Sequence, residues 1–485
     1  MKKLFSIVIL LFVLLAGVWV SVTYWFGLKT EEQYHSLLRQ ASQWQYFKIV
    51  NESYSRGLFE SKARTVVEID RPPGTSVDNQ PIRLTLAQNI MHGPFPSTTT
   101  PGGKRLLKPV MATIETSPVL GPEAQSRLAE LYAQIPELAS VRDYTVIYLN
   151  GNGEEQLTIP PFQRTLGKEE KVAVDWQGLS LQVNFTADLK GFTGALSIPG
   201  LKAVTEDLNL RIEEVKCTFD SHEGISGLAL GDASFEVGSL NIAARQDAEP
   251  LALLIRAFNI RTSTKASGDD INGLIAVKTE QMKIDENEYG PGIFELELKN
   301  LDAASLAKLE QLAREQQTQS PLLSREATRL MMLAKLGEIL PDLFRKSPEI
   351  ELPRFELKTT LGDFSGKAKI SLDGAQPGST QNLLGLAKAI SAQAEFKVGE
   401  RLLRHMVLGW MKPKIIEQTK EEQGTAPSDQ EIDAILSTRV DEQLEALTAQ
   451  KILMKDDGDY RASASYKGGE TVLNGRPLSL KDLMQ

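Results

Sequence analysis

Thiol chemistry is nearly missing from these 485 residues: Cys217 is the single cysteine, so no intrachain disulfide can form. A lone cysteine among alternating residues reads as a small apolar strand residue, neither ligand nor nucleophile. Histidine is scarce as well. His35, His92, His222 and His405 stand far apart, and none has a second His, Cys or acid at metal-ligand spacing. The chain carries no Walker loop, no dinucleotide glycine fingerprint and no Gly-x-Ser-x-Gly elbow. Gly191-Phe192-Thr193-Gly194 lacks the third glycine and is expected in a hairpin turn. The carboxylate neighbours Asp269-Asp270 and Asp456-Asp457 fall in turn-like, solvated sequence. No catalytic residue, metal or cofactor is therefore expected, and the reading is of a protein that is not an enzyme. Positive charge is also in deficit, with 54 Lys and Arg against 63 Asp and Glu, or −9. Setting aside Lys2 and Lys3 leaves 52 against 63, or −11. That balance repels a phosphate backbone and excludes nucleic acid as the partner.

What the sequence does contain begins with an uncharged apolar run from Leu4 to Leu28. At about 1.5 Å per helical residue it exceeds the roughly 30 Å of a bilayer's hydrocarbon core. Lys2 and Lys3 precede it, and Trp19, Tyr24, Trp25 and Phe26 gather at its far end, as in a headgroup-level aromatic belt. Leu15-Ala16-Gly17 is the nearest thing to a cleavage site, but Val18 and Trp19 continue the run, and Val18 stands where a lipoprotein needs cysteine. The expectation is an uncleaved single-pass membrane anchor, with residues 1–3 cytoplasmic and the bulk of the chain outside.

Beyond the anchor the hydrophobic period alternates between two values. Glu31 to Phe47 has helical spacing, and Lys48 to Asp70, broken by Gly57, predicts a β-hairpin. Ile82 to Ile90 alternates as a strand, and Pro94 to Pro109 is loop-like. A helix is expected from Gly121-Pro122 to Pro136, with Leu128, Leu131, Tyr132 and Ile135 on one face. From Tyr144 the period is two: Leu179, Leu181, Val183 and Phe185, then Leu208, Leu210 and Ile212, then Phe294, Leu296 and Leu298. Leucines at helical spacing mark two helical blocks, one from Asp302 to Phe344 and one from Glu400 to Ala449. Lys467-Gly468-Gly469 and Asn474-Gly475 are hairpin turns.

Three local motifs punctuate this pattern. Tyr54-Ser55-Arg56-Gly57-Leu58-Phe59-Glu60-Ser61 follows soon after the apolar run, His92-Gly93-Pro94-Phe95-Pro96 closes the next strand, and Leu473-Asn474-Gly475 precedes Leu478-Ser479-Leu480. Their order and spacing resemble the YdgA-like family of uncharacterised bacterial envelope proteins, over essentially the whole chain. The resemblance implies an inner-membrane protein facing the periplasm and implies no established reaction. Physics offers a structural reading of the same residues: Gly57 permits a bend, Tyr54 and Phe59 pack across it, Arg56 reaches carbonyls, Gly93-Pro94 stops the next strand, and His92 is a satisfied polar group fixing that turn.

The expected fold class is α+β: one transmembrane helix followed by an extended antiparallel β-meander with two helical blocks. Its segments are an anchor at 4–28, a β-rich region at 29–120, a helix and meander at 121–300, a helical block with strands at 301–380, and helices with a hairpin at 381–485. A sheet that is apolar on one face must be covered by helices, a partner or a ligand. The primary expectation is interaction with an envelope protein or a second copy of the chain. The alternative is lipid bound in an apolar groove faced by Leu181, Leu210 and Leu296, and a periplasmic hydrolase is a distant third.

Overall fold

A computed structural model describes residues 2–41, 47–69, 82–98, 103, 106–119, 133–167, 171–245, 251–285, 287–318, 325–376, 378, 383–423 and 429–478. Two compact units divide the chain, Met1–His222 and Glu223–Gln485. Both are built on antiparallel meanders. Long strands with period-two patterning dominate, and helices are few.

The first unit opens with α1 (Lys2–Ala41). Strands β1 (Phe47–Arg56), β2 (Glu60–Ile69), β3 (Ile82–His92), β4 (Ala112–Val119), β5 (Arg142–Ile147) and β6 (Gly153–Ile159) follow, each paired antiparallel with the next. Sequence continues through β7 (Phe162–Leu166), β8 (Val172–Trp176), β9 (Leu179–Phe185), β10 (Gly191–Val204) and β11 (Leu208–Glu223). β6 pairs with β9, and β10 takes β9 and β8 along one edge and β11 along the other. Gly191 to Gly194 accordingly lies within a strand and not in a turn. The helix expected from Gly121 falls mostly outside the described residues.

α1 overturns the expected anchor. Among the described residues, no helix is long and apolar enough to cross a membrane. The single-pass inner-membrane placement that rested on Leu4 to Leu28 falls with it. The physical reason is visible in the packing. From Val22 to Leu38 one stripe of the helix lies on the sheet, with Thr23, Phe26, Thr30 and Tyr34 buried against Ala63, Ile90, Met111 and Ile114. The last turns of the apolar run therefore cover protein. Trp19, Tyr24 and Trp25 make protein contacts as well: Trp19 lies 6.4 Å from Phe59, Trp25 lies 5.3 Å from Phe26, and Tyr24 carries the Arg56 guanidinium.

Within the second unit, β12 (Ala229–Ala244), β13 (Leu251–Ser267), β14 (Asp270–Thr279), β15 (Gln281–Ile284) and β16 (Asn287–Asp302) come first. β14 and β15 share one position between β13 and β16. Helices α2 (Ala303–Thr318) and α3 (Arg325–Arg345) precede β17 (Glu349–Thr359) and β18 (Phe364–Leu372). α4 (Leu383–Ala389) leads into β19 (Ile390–Gly399), followed by α5 (Glu400–Gln423) and α6 (Asp429–Ala449). The unit ends in β20 (Met454–Asp456), β21 (Asp459–Lys467), β22 (Glu470–Leu473) and β23 (Arg476–Leu478). Asp457-Gly458, Gly468-Gly469 and Asn474-Gly475 all have positive φ at both residues, the turn that matches strand twist.

The α+β expectation is corrected to a mostly antiparallel sheet fold. The helical blocks exist, but they pack at the strand ends and do not form a second layer. α2 meets Leu228, Leu230, Ile271 and Leu301 at one end, and α5 with α6 meets Phe364, Phe396, Val398 and Tyr460 at the other. Between them Ile350 and Ile370 remain 47% and 50% exposed.

Candidate functional site

The first two motifs meet beneath α1. The β1–β2 bend closes with Gly57 N–H donating to the Glu60 carbonyl at 2.8 Å, and a Cβ on Gly57 would stand 2.7 Å from that oxygen. Ser61 returns along β2, fully buried, and faces His92 at the end of β3. The His92 Nδ1 lies 3.1 Å from the Leu58 carbonyl, which can only accept, so Nδ1 carries the proton. Nε2 then accepts from the Ser61 hydroxyl at 2.9 Å. Burial holds His92 below the usual imidazole range, so it sits neutral between two satisfied partners. Its ring also rests on Gly27 of α1, where a Cβ would approach within 2.6 Å. With both ring nitrogens occupied and no carboxylate orienting it, this Ser–His pair lacks the third member of a nucleophilic triad.

Tyr54 packs between α1 and the sheet, 5.3 Å from Tyr34 and 5.5 Å from His35, and burial pushes its phenol up. Tyr34 bonds Thr65 at 2.5 Å and Gln88 at 3.3 Å across β2 and β3. Arg56 reaches back to Glu31 of α1 at 2.7 Å while lying 5.3 Å from the Tyr24 ring centre. Gly93 donates to Met111 at 2.7 Å, and the Pro94 carbonyl accepts from Val110 at 2.9 Å. Phe95 points outward and is exposed. The motif residues are thus a clamp seating α1 on the hairpin. Arg56→Ala should lower unit-one stability by about 1 kcal/mol, the sum of a half-exposed ion pair and a cation–π contact. Urea titration followed by tryptophan fluorescence reads this. Equal midpoints for the variant and the parent would refute the role.

In the second unit, the third motif is also a staple. Asn474 sits at φ 48° and Gly475 at φ 78°. The Asn474 carboxamide oxygen accepts from Ser463 N–H at 2.7 Å, and its amide nitrogen donates to Lys451 and Ile452 carbonyls at 2.8 and 3.0 Å. One side chain ties the last hairpin to the segment after α6. Leu473 ends β22, while Ser479 and Leu480 lie outside the described residues.

Around Leu296 the register of unit two assembles an extended apolar surface. Phe235, Ile260, Val277, Phe294 and Phe355 are successive cross-strand partners, and Gly366, Phe396 and Ala462 continue the row. One pleat away stand Ala233, Thr262, Ile275 and Leu296, then Leu352, Ala368, Ala394 and Ala464 beyond the register shift in β17. A third row holds Leu298, Ile350, Ile370, Ala392 and Tyr466. None of the three contains a charged residue. Phe294, Phe355, Phe364 and Phe396 form a ring ladder with centroids 5.8, 4.9 and 6.5 Å apart. The opposite face is a charge lattice, with Lys299 bridging Glu297 and Glu351 at 2.7 and 2.8 Å, and Lys369 on Glu349 at 2.7 Å. Alternation along each strand keeps the charges out of these rows, while Leu274 and Ile293 stand among the charges, paired with Glu297 and with Lys278 and Glu356.

A model of a bacterial protein family of unknown function, DUF945, matches residues 1–481. The chain belongs to DUF945. An uncharacterised protein of Haemophilus influenzae strain Rd is 22% identical over 316 residues, covering 61% of this chain and 82% of that protein.

In this DUF945 chain two of the three motifs build the α1 clamp of the first unit, and the third staples the second. Leu181 lies in a unit-one row with Leu157, Leu196 and Cys217, half-buried and away from α1. Leu210 lies farther along β11, past Glu214, whose φ of 54° interrupts the strand's alternation. Of the turn carboxylates, Asp270 pairs with Lys346 at 3.1 Å and Asp456 with Arg461. Among the described residues no group of His, Cys, Asp and Glu is arranged to hold a metal. One pair escaped the sequence reading: Asp143 on β5 and Glu155 on β6, whose carboxyls interact on the α1-bearing face of the unit-one sheet.

Proposed function

We propose that this DUF945 protein is a non-enzymatic carrier of acyl chains, held on the uncharged face of its second unit. The observation that supports it is the charge-free surface with Ile275, Ile350 and Ile370 exposed, bounded where Phe396 and Ala462 pack against the α5–α6 cluster. An open apolar surface of this extent marks a binding site, because covering it gains about 25 cal/mol for each Å² removed from water. A protein partner would want roughly one hydrogen bond per 100–200 Å² of interface. Here the interior strand amides are already paired on both sides, and the rows present hydroxyls only from Thr262, Thr264 and Tyr466. Tyr466 is spent on the Ala387 carbonyl at 2.8 Å. A methylene chain makes no such demand. The motif set further relates the chain to the YdgA-like proteins.

Purified full-length protein should therefore release fatty-acyl lipid on solvent extraction, measured by mass spectrometry. Placing charge in the rows, as in an Ile275→Glu, Ile370→Glu double variant, should cut the bound lipid at least tenfold while leaving the far-ultraviolet circular dichroism unchanged. If the parent protein carries no lipid and instead forms a dimer that the same variant dissociates, the face is a self-association surface and the carrier reading is wrong.

A further inference from the structure

We infer that the first unit carries a binding site for a small, water-soluble dianion with hydroxyl groups, of the chemistry of a sugar bisphosphate. The site is a trough across β2 to β5, on the sheet face opposite α1. It stands apart from the carrier reading, which concerns the second unit alone.

Register builds the trough. Ala63 and Thr65 of β2 turn under α1, so alternation sends Lys62 and Arg64 to the opposite face. There Arg64 pairs with Ala87, and Ala87 with Ser117. Thr116 pairs with Asp143, which brings Arg142 level with Ser117. This row therefore has a guanidinium at either end and two small side chains between them. Three strand spacings of about 4.8 Å set the two arginine Cα positions about 14 Å apart. In the neighbouring row Lys62 pairs with Asn89, Asn89 with Glu115, and Glu115 with Tyr144. Gly103 and Ala139 also line the hollow, which measures about 730 Å³, within the range of small-molecule sites.

Charge selects an anion. Lys62, Arg64 and Arg142 line the trough with a single carboxylate on the same face, Glu115, to which the Thr98 hydroxyl donates at 3.0 Å. Glu60 stands 3.9 Å from Lys62, outside the lining, and the Asp143 carboxyl lies on the α1-bearing face. A local surplus of positive charge in a chain of net charge −9 concentrates anions at this spot. Guanidinium groups grip phosphate or carboxylate through paired hydrogen bonds, so one anionic group at each end matches the row.

Between those ends the ligand must bring hydroxyls. The Asn89 carboxamide oxygen is buried and has no hydrogen-bond partner among the described residues, so it calls for a donor. Ser117 supplies a hydroxyl on the same floor. Val141 is the largest aliphatic residue of the lining, so an acyl chain finds no bed here.

Isothermal titration calorimetry of the full chain with fructose bisphosphate, inorganic phosphate and fructose tests the assignment. The bisphosphate should bind one per chain, about tenfold or more tighter than inorganic phosphate, and weaken as salt rises. Fructose alone should give no binding heat. Arg64→Gln and Arg142→Gln should each weaken the bisphosphate about tenfold or more, since each removes one charge-assisted pair. Both side chains are exposed, so the fold is kept. Ala87→Leu fills the floor and leaves every charge in place. It should abolish binding, whereas attraction to charge alone would be unchanged. Bisphosphate binding no tighter than phosphate, or insensitive to Ala87→Leu, would reduce the trough to a cationic patch and overturn the site. No binding at low ionic strength, or binding unmoved by both arginine variants, would overturn it as well.

Discussion

Gly93→Ala should cost the first unit about 3 kcal/mol or more, the largest loss expected from adding one methyl group to this protein. A Cβ built on Gly93 would lie 1.8 Å from the Val110 carbonyl oxygen and 2.9 Å from that of Met111. Both obstacles are backbone, so no rotamer change relieves them. The same segments are joined by Gly93 N–H to Met111 and by Val110 N–H to Pro94. Parting them sacrifices hydrogen bonds worth about 1 kcal/mol each, added to an overpacking cost of about 1–3 kcal/mol. The strain also reaches His92, and through it the Ser61 bond and the contact with Gly27 that seats α1. Gly17→Ala is the control, since nothing lies within 4 Å of its Cβ position in the helix. That change should stabilise by up to about 1 kcal/mol. Urea unfolding of the two variants, followed by fluorescence of Trp19, Trp25 and Trp176, separates the cases. A Gly93→Ala midpoint within about 1 kcal/mol of the parent would contradict the close approach.

These contacts explain where sequence reading succeeded and where it stopped. Alternation and turn dipeptides are local, so β9, β11, β16 and the Asn474-Gly475 turn were legible from residues alone. Register is not local. The third row of the apolar face joins Leu298 to Ile350, Ile370 and Ala392, residues separated by helices in sequence and united only by pairing. The clamp was half legible. Gly57 and Gly93 announced bends, but nothing near Gly27 predicts an imidazole against it. The apolar run misled for a related reason. Thr23 and Thr30 lie within and just beyond it, and the Thr30 hydroxyl bonds its own helix at the Phe26 carbonyl, 2.8 Å away. An apolar helix stripe reads the same in sequence whether lipid or a sheet will cover it.

The acid pair shows how a register unseen in sequence becomes a measurable property. Thr145 pairs with Glu155 and Asp143 with Leu157, which sets the two carboxyls diagonally on one face, with Val183 of β9 opposite Glu155. Burial first, then the charge and the hydrogen bond of Asp143, push Glu155 up to about 7, and burial raises Asp143 as well. The partners that set these shifts are each other and the Thr116 hydroxyl, with no cation among them. An unfolded glutamate titrates near 4.5. Between that value and about 7 the folded protein binds more protons than the unfolded chain, so stability falls as pH rises through this window and levels off above it. Below 4.5 both states are protonated and the full stability is present. The shift corresponds to about 3 kcal/mol lost across the window. Glu155→Gln keeps the amide's hydrogen-bonding capacity and removes the titration. It should flatten the profile and, at pH 8, make unit one more stable than the parent by about 2–3 kcal/mol. Denaturant midpoints at pH 5, 6, 7 and 8 decide the matter, and parallel profiles for parent and variant would show that the two carboxyls do not share a proton. A protonated Glu155 is also what its burial favours. Above pH 7 the charge that appears beside Leu157 and Val183 is a cost borne by the sheet itself, independent of any ligand on the second unit.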